Sequence, residues 1–183
     1  MKNENKLPKR KELRIKQYDY SSRGAYFITI CTKNREKTLS RIAFPVGVGA
    51  LDDPPSVFDA QIVLTEIGQI VEKNLLSSEN ISGVTIDEYV IMPNHIHVII
   101  YLDPDKYNNH TDGSSRAPTP TNEMIPQVVS AFKRFCNKEL GQNIFQRGYM
   151  EHIIRDKADY NTRVKYIYEN PMRWHFDKLY IEQ

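Results

Sequence analysis

The stretch YVIMPNHIHVII, residues 89–100, sets two apolar runs on either side of Pro93-Asn94. It places two of the chain's five histidines one residue apart in the second run. Side chains alternate between faces along a strand, so His95 and His97 share one face while Ile96 and Val98 take the other. Pro and Asn favour a tight connection. Residues 83–92 and 95–102 are therefore predicted to pair as a hairpin, with His95 opening its second strand.

Working outward, AYFITICT (25–32) is rich in β-branched and aromatic residues and reads as a buried strand after Gly24. A Gly/Pro/Asp-rich excursion follows and leads to a short strand near 61–64. Thr65 is an N-cap candidate for a helix carrying Ile67, Ile70, Val71, Leu75 and Leu76 on one face and ending near Ser78. Beyond the hairpin, residues 103–122 hold almost no aliphatic side chain and read as a loop. Ile125, Val128, Val129, Phe132 and Phe135 then recur at helical spacing up to Leu140, with Gly141 as the stop and Lys133, Arg134 and Lys138 outside. YMEHIIRD reads as a further strand and DKADYNTRVKYIYEN as a last helix closed by Pro171. These elements predict an α+β fold, a sandwich with a mainly antiparallel central sheet and packed helices, as in ferredoxin-like domains.

A chain of 183 residues, 40% hydrophobic and 26% charged, suits a single globular domain rather than a disordered or membrane protein. No window approaches the roughly 18 apolar residues of a membrane span, and the N-terminus lacks the apolar core of a secretion signal. The expected location is cytoplasmic. Cys31 and Cys136 fall in a strand-like and a helix-like run and fit buried thiols. The net charge of +2 is too small to announce a nucleic-acid partner. Residues 2–16, however, carry seven Lys or Arg against two Glu, a density suited equally to phosphate contacts and to a solvated tail. This basic segment, 1–17, precedes a domain taken to span 18–183, with loops at 43–58 and 103–122.

A His-x-His pair alone is weak evidence for a metal, because a half-solvated strand face can simply expose two histidines. The apolar residues around it would hold both imidazoles on a rigid element. In YIYEN, Tyr166 and Asn170 are four residues apart and so share one helical face. If that face met the histidine strand, the Asn170 carbonyl would join His95 and His97 around a divalent cation, with Tyr166 beside it. The plainer alternative has Tyr166 packing on the core and Asn170 capping the helix. His152 is read as a hydrogen-bonded structural histidine.

Four blocks taken together, YDYSSRGAYFITICT, DEYVIMPNHIHVII, FQRGYMEHIIRD and YIYENPMRW, resemble the REP-associated tyrosine transposases, relatives of the single-tyrosine insertion-sequence transposases within the HUH endonucleases. The likeness runs from about Tyr18 to Trp174. It implies that His95 and His97 are the metal pair, Asn170 the remaining protein ligand and Tyr166 the nucleophile. Mg2+ or Mn2+ is the implied cofactor and single-stranded or hairpin DNA the implied partner. The implied activity is cleavage and rejoining of single-stranded DNA beside a hairpin through a 5′-phosphotyrosine, by a monomer or a homodimer. Mobile relatives usually carry Gln in the Asn170 role, and many relatives have Trp where Phe145 stands. The stretches at 43–58 and 103–122 also depart from the pattern.

With DNA as the partner, Lys9, Arg10, Lys11, Arg14, Lys133, Arg134, Arg155, Arg163, Lys165 and Arg173 are candidates for phosphate contacts. Tyr26, Tyr149, Trp174 and Phe176 are candidates for base stacking, although aromatics on strands and helices more often belong to the core. Two other functions compete: a domesticated hairpin-DNA binder without cleavage activity, and a zinc-dependent hydrolase. The second is disfavoured because no further His, Cys or carboxylate stands at a recognisable ligand spacing.

Overall fold

The computed structural model describes residues 23–43, 60–103, 105–106 and 124–181. The basic segment with Lys9, Arg10, Lys11 and Arg14, and nearly all of the 43–58 and 103–122 stretches, lie outside the described residues.

The histidine hairpin forms as read: β4 (Val84–Met92) and β5 (His95–Leu102) pair antiparallel around Pro93-Asn94. With β1 (Gly24–Cys31) and β6 (Met150–Ile154) they make a four-stranded sheet of order β4-β5-β1-β6, antiparallel throughout. A second, two-stranded sheet joins β2 (Ser40–Ala43) to β3 (Gln61–Leu64). The sequence pattern gave no signal for β2. Ser40 Oγ donates to the Ile91 carbonyl at 2.8 Å, tying this ribbon to the main sheet.

Alternation along the strands produces two cores, one on each side of the main sheet. Ile96, Val98 and Ile100 of β5 and Tyr26, Ile28 and Ile30 of β1 face α1 (Glu66–Leu76) and α2 (Met124–Leu140). Each buried aliphatic side chain there contributes about 1.5–3 kcal/mol. Thr65 caps α1 by accepting from the Gly68 N–H at 3.0 Å. Along α2 the buried stripe ends on Cys136, while Phe135, assigned to the apolar face from its spacing, is half exposed beneath the Arg134 guanidinium. Stepping by three or four from Phe132 reaches either residue; Cys136 is buried as its helix-like run suggests, and the sheet's position leaves Phe135 outside. Cys31 and Cys136 are buried free thiols.

On the opposite face Ala25, Phe27, Val90, Met92 and Ile99 meet Ile167 of α3 (Lys157–Glu169) and Trp174. His95 and His97 belong to this side. α3 buries only Ile167 fully, so apolar packing does not hold it alone. A register shift between Ile86 and Tyr89 marks a bulge in β4 that projects Asp87 and Glu88 toward the helix. Tyr160 Oη donates to Asp87 at 2.7 Å and Tyr168 Oη to Glu88 at 3.0 Å, pinning the helix across the sheet. Asp156 caps its N-terminus by accepting from the Asp159 N–H at 2.8 Å.

Candidate metal and nucleophile site

Cross-strand pairing builds the site from below. Thr29 lies opposite His97 and Cys31 opposite His95. Thr29 Oγ1 sits 2.8 Å from His97 Nδ1, and Phe27 stacks on the same imidazole at 5.2 Å between centroids. His95 is bonded through Nδ1 to Asn94 Oδ1 at 2.8 Å. Asn94 Nδ2 donates to the Leu179 carbonyl at 2.8 Å, so the amide oxygen is the atom turned to His95. That oxygen only accepts; His95 Nδ1 therefore carries the ring proton and Nε2 keeps its lone pair.

Both imidazoles are neutral at physiological pH. Burial, helped by the Arg35 charge, pulls His95 down to about 3. Burial likewise holds His97 well below the usual histidine range, with His95 acting in the same direction. Neutral imidazole is the metal-binding form.

The last helix brings the other half. Tyr166 lies 5.1 Å from His97, ring centroid to ring centroid, and Asn170 is buried at the end of α3. Asn170 occupies the helix C-cap position, and its side chain turns toward Asp177 and the histidine face. Asn170 Nδ2 donates to Asp177 Oδ2 at 2.9 Å, and Tyr166 Oη donates to the same oxygen at 3.1 Å. One chain thus holds all four sequence-selected residues together, and Tyr166 remains accessible at 41% exposure. Partial burial and the neighbouring Asp177 carboxylate push its phenol up to about 12.

Among the described residues, His95 Nε2, His97 Nε2 and Asn170 Oδ1 are buried and meet no hydrogen-bond partner. Each such atom costs about 1–3 kcal/mol of desolvation if left unmatched. A divalent cation matches this set, since imidazole nitrogen and amide oxygen are both ordinary ligands for it. One nitrogen of each histidine and an Asp177 oxygen lie within 4.8 Å of one another. That is close to the roughly 4 Å that spans an octahedral site with ligand bonds of about 2.0–2.1 Å.

Asp177 carries no signal in the sequence motifs, and it places a carboxylate beside the two histidines. It has no spacing relation to the histidines; the one available signal was an acidic residue soon after the tyrosine helix. Asn94 was read only as a turn residue.

The basic candidates divide. Lys133 and Arg134 ride on α2, across the sheet from the histidines. Lys133 Nζ donates to the Gln146 and Gly148 carbonyls at 2.8 and 2.7 Å, and burial lowers it to about 8. Its donors thus serve the backbone rather than a free surface. Arg163 Nε donates to Asp159 at 3.1 Å with the guanidinium over Phe27, close to Tyr166. Lys165 and Arg173 are exposed and flank Glu169 at 3.6 and 3.2 Å, while Arg155 is exposed at the β6–α3 junction. His152 Nε2 lies 2.7 Å from Asp159, as expected of a structural histidine. Tyr26 and Trp174 are buried in the two cores and unavailable for stacking, and Tyr149 is partly buried. Phe176 is 89% exposed. It lines a cleft of about 430 Å³ with Tyr166, Asn170, Arg173, Asp177 and Lys178. No helix among the described residues is long and apolar enough to cross a membrane.

No protein-family model matches the chain. An uncharacterized protein of Haemophilus influenzae is 34% identical, over 94% of each chain. A second protein of that organism, described as a putative REP-associated tyrosine transposase, is 31% identical over 45% of this chain and 47% of its own. The REP-associated tyrosine transposase of Escherichia coli is 25% identical over 84% of this chain and 70% of its own. Among solved structures, a REP-associated tyrosine transposase bound to a REP hairpin superposes with a TM-score of 0.53 at 21% identity, covering 85% of this chain and 70% of that one. That superposition is a likeness of fold.

Proposed function

This chain is a relative of the REP-associated tyrosine transposases, and we propose that it is a metal-dependent transposase that cleaves and rejoins single-stranded DNA beside a hairpin. The observation that carries this reading is the convergence of three buried atoms of ligand type, His95 Nε2, His97 Nε2 and Asn170 Oδ1, unpartnered among the described residues and set beside an accessible tyrosine.

Tyr166 is the nucleophile. Its Oη forms a bond to the scissile phosphorus as the bond to the 3′ oxygen breaks, leaving a 5′-phosphotyrosine and a free 3′ hydroxyl. One proton leaves the phenol and one joins the departing oxygen. Because one phosphoester replaces another, a 3′ hydroxyl can reverse the step and join strands without an external energy source. His95, His97 and Asn170 would hold Mg2+ or Mn2+, which when bound offsets charge on the phosphate oxygens. Thr29 and Asn94 orient the two imidazoles from the outer side. Arg163, placed by Asp159, and Arg173 at the cleft bring positive charge to the backbone of an entering strand.

The test is a covalent trap. The full chain with hairpin DNA bearing a single-stranded flank and Mn2+ is expected to form a protein–DNA adduct that survives denaturation. The adduct should vanish in Tyr166→Phe and in chelator. Persistence in Tyr166→Phe would reject the nucleophile. Tight hairpin binding with no cleavage under any divalent cation would favour the catalytically silent binder instead.

A further inference from the structure

We propose that Asp177 is a fourth protein ligand of the cation, supplying the negative charge that the other three ligands lack. The inference rests on the metal-dependent reading above and extends it to a residue outside the His-x-His and tyrosine-helix motifs.

The first argument is charge. Two neutral imidazoles and one amide contribute no anion, and all three residues are almost wholly buried. A divalent ion placed there without a counter-charge faces a steep desolvation penalty. Mg2+ and Mn2+ favour oxygen ligands, carboxylate above all. Asp177 forms with His95 and His97 a group compact enough to share one ion. Glu169 also lines the cleft, but its carboxylate is engaged by Lys165 and Arg173.

The second argument is the lone-pair count. A carboxylate offers about four acceptor directions. Asp177 Oδ1 accepts from the Leu179 N–H at 2.6 Å, and Oδ2 accepts from Asn170 Nδ2 and Tyr166 Oη. Among the described residues three directions are filled by partners that fix the group in place, and one remains. The Asn170 bond does double work: by using the amide nitrogen it leaves Oδ1 as the free, ligand-type atom. Asp177 thus touches both a metal-site residue and the nucleophile, and cation binding and Tyr166 placement depend on the same side chain.

The test is Mn2+ titration of the full chain without DNA, by electron paramagnetic resonance, alongside the visible absorption of the Co2+ form. Wild type should bind and His95→Ala should not. Asp177→Asn keeps the size and most hydrogen bonds. It is expected to weaken Mn2+ binding by more than about 100-fold, beyond the roughly 10–100-fold typical of losing an outer-shell partner, and to change the Co2+ spectrum. Asp177→Glu, which retains the charge, should recover part of the affinity. Melting curves in chelator check that each variant folds. Wild-type affinity in Asp177→Asn, or weaker binding with an unchanged Co2+ spectrum, overturns the Asp177 assignment while leaving the three-ligand reading intact. Absence of binding by wild type itself, with His95→Ala indistinguishable from it, overturns both.

Discussion

Asn94 Nδ2 donates to the Leu179 carbonyl oxygen at 2.8 Å, joining the tip of the histidine hairpin to the chain that follows the tyrosine helix. Leu179 in turn donates its N–H to Asp177, and Asn94 accepts from His95. A continuous path of hydrogen bonds therefore runs from one imidazole to the carboxylate beside the phenol.

Breaking that path at Asn94 should loosen the cation site without touching a ligand. Asn94→Ala frees the His95 ring and leaves two buried groups unmatched, each at about 1–3 kcal/mol. Mn2+ affinity is expected to fall roughly 10–100-fold, together with the melting temperature. Unchanged Mn2+ binding in a folded Asn94→Ala protein would show that His95 needs no outer partner.

The three tyrosines of α3 that bond carboxylates should separate by role. Tyr168 donates to Glu88 rather than to Asp177, and Tyr168→Phe removes one exposed hydrogen bond worth about 0.5–1.5 kcal/mol. It is expected to lower the melting temperature slightly and still form the DNA adduct. Loss of the adduct in Tyr168→Phe, with Tyr166→Phe still competent, would reverse the assignment.

Stability of the cation-free protein should fall on acidification. In the unfolded chain both histidines titrate near 6.5, whereas burial keeps His95 down to about 3 and His97 far below its usual range. Below pH ~6.5 the unfolded chain takes up protons that the folded chain refuses, so the unfolded state gains. His95 alone accounts for about 2 kcal/mol between pH 7.5 and 5, and His97 adds in the same direction. Thermal unfolding in chelator at the two pH values measures the drop, which should shrink in His95→Asn. An equal drop in the variant would place the titrating groups elsewhere.

Phe176 stands 89% exposed at the cleft that Tyr166 opens into, where a packed core would not leave it. If it stacks on a base, Phe176→Ala should weaken binding of single-stranded DNA by about 1–3 kcal/mol while Mn2+ affinity stays unchanged. Equal DNA affinities for variant and wild type would remove Phe176 from the interface.

Gly68 offers a control away from the chemistry. A Cβ there would overlap the Leu39 backbone carbonyl oxygen, which cannot rotate aside. Gly68→Ala is expected to cost about 1–3 kcal/mol through forced backbone movement and to leave Mn2+ binding intact in the protein that folds. A melting temperature at or above wild type would contradict this packing.

Local rules carried much of the fold. Period-two alternation put His95 and His97 on one face, Pro93-Asn94 marked the hairpin, Thr65 marked a helix start, and the four-residue spacing of Tyr166 and Asn170 put them on one side of a helix. Each is a relation between near neighbours, so the backbone's own geometry decides it. Four motif blocks in order added the family resemblance.

What the residues alone left undecided were relations across distance. Asp177 meets the histidines 80 and more positions after them, and β2 and the β4 bulge leave no periodic trace. Even the exposure of Phe135, whose spacing puts it on the apolar face, awaited the sheet. Spacing along the chain determined which side chains share an element's face. Only the packing of α3 over the sheet, held by tyrosine–carboxylate bonds rather than a broad apolar stripe, decided that those faces would meet, because hydrogen bonds between distant polar residues have no signature in a one-dimensional pattern.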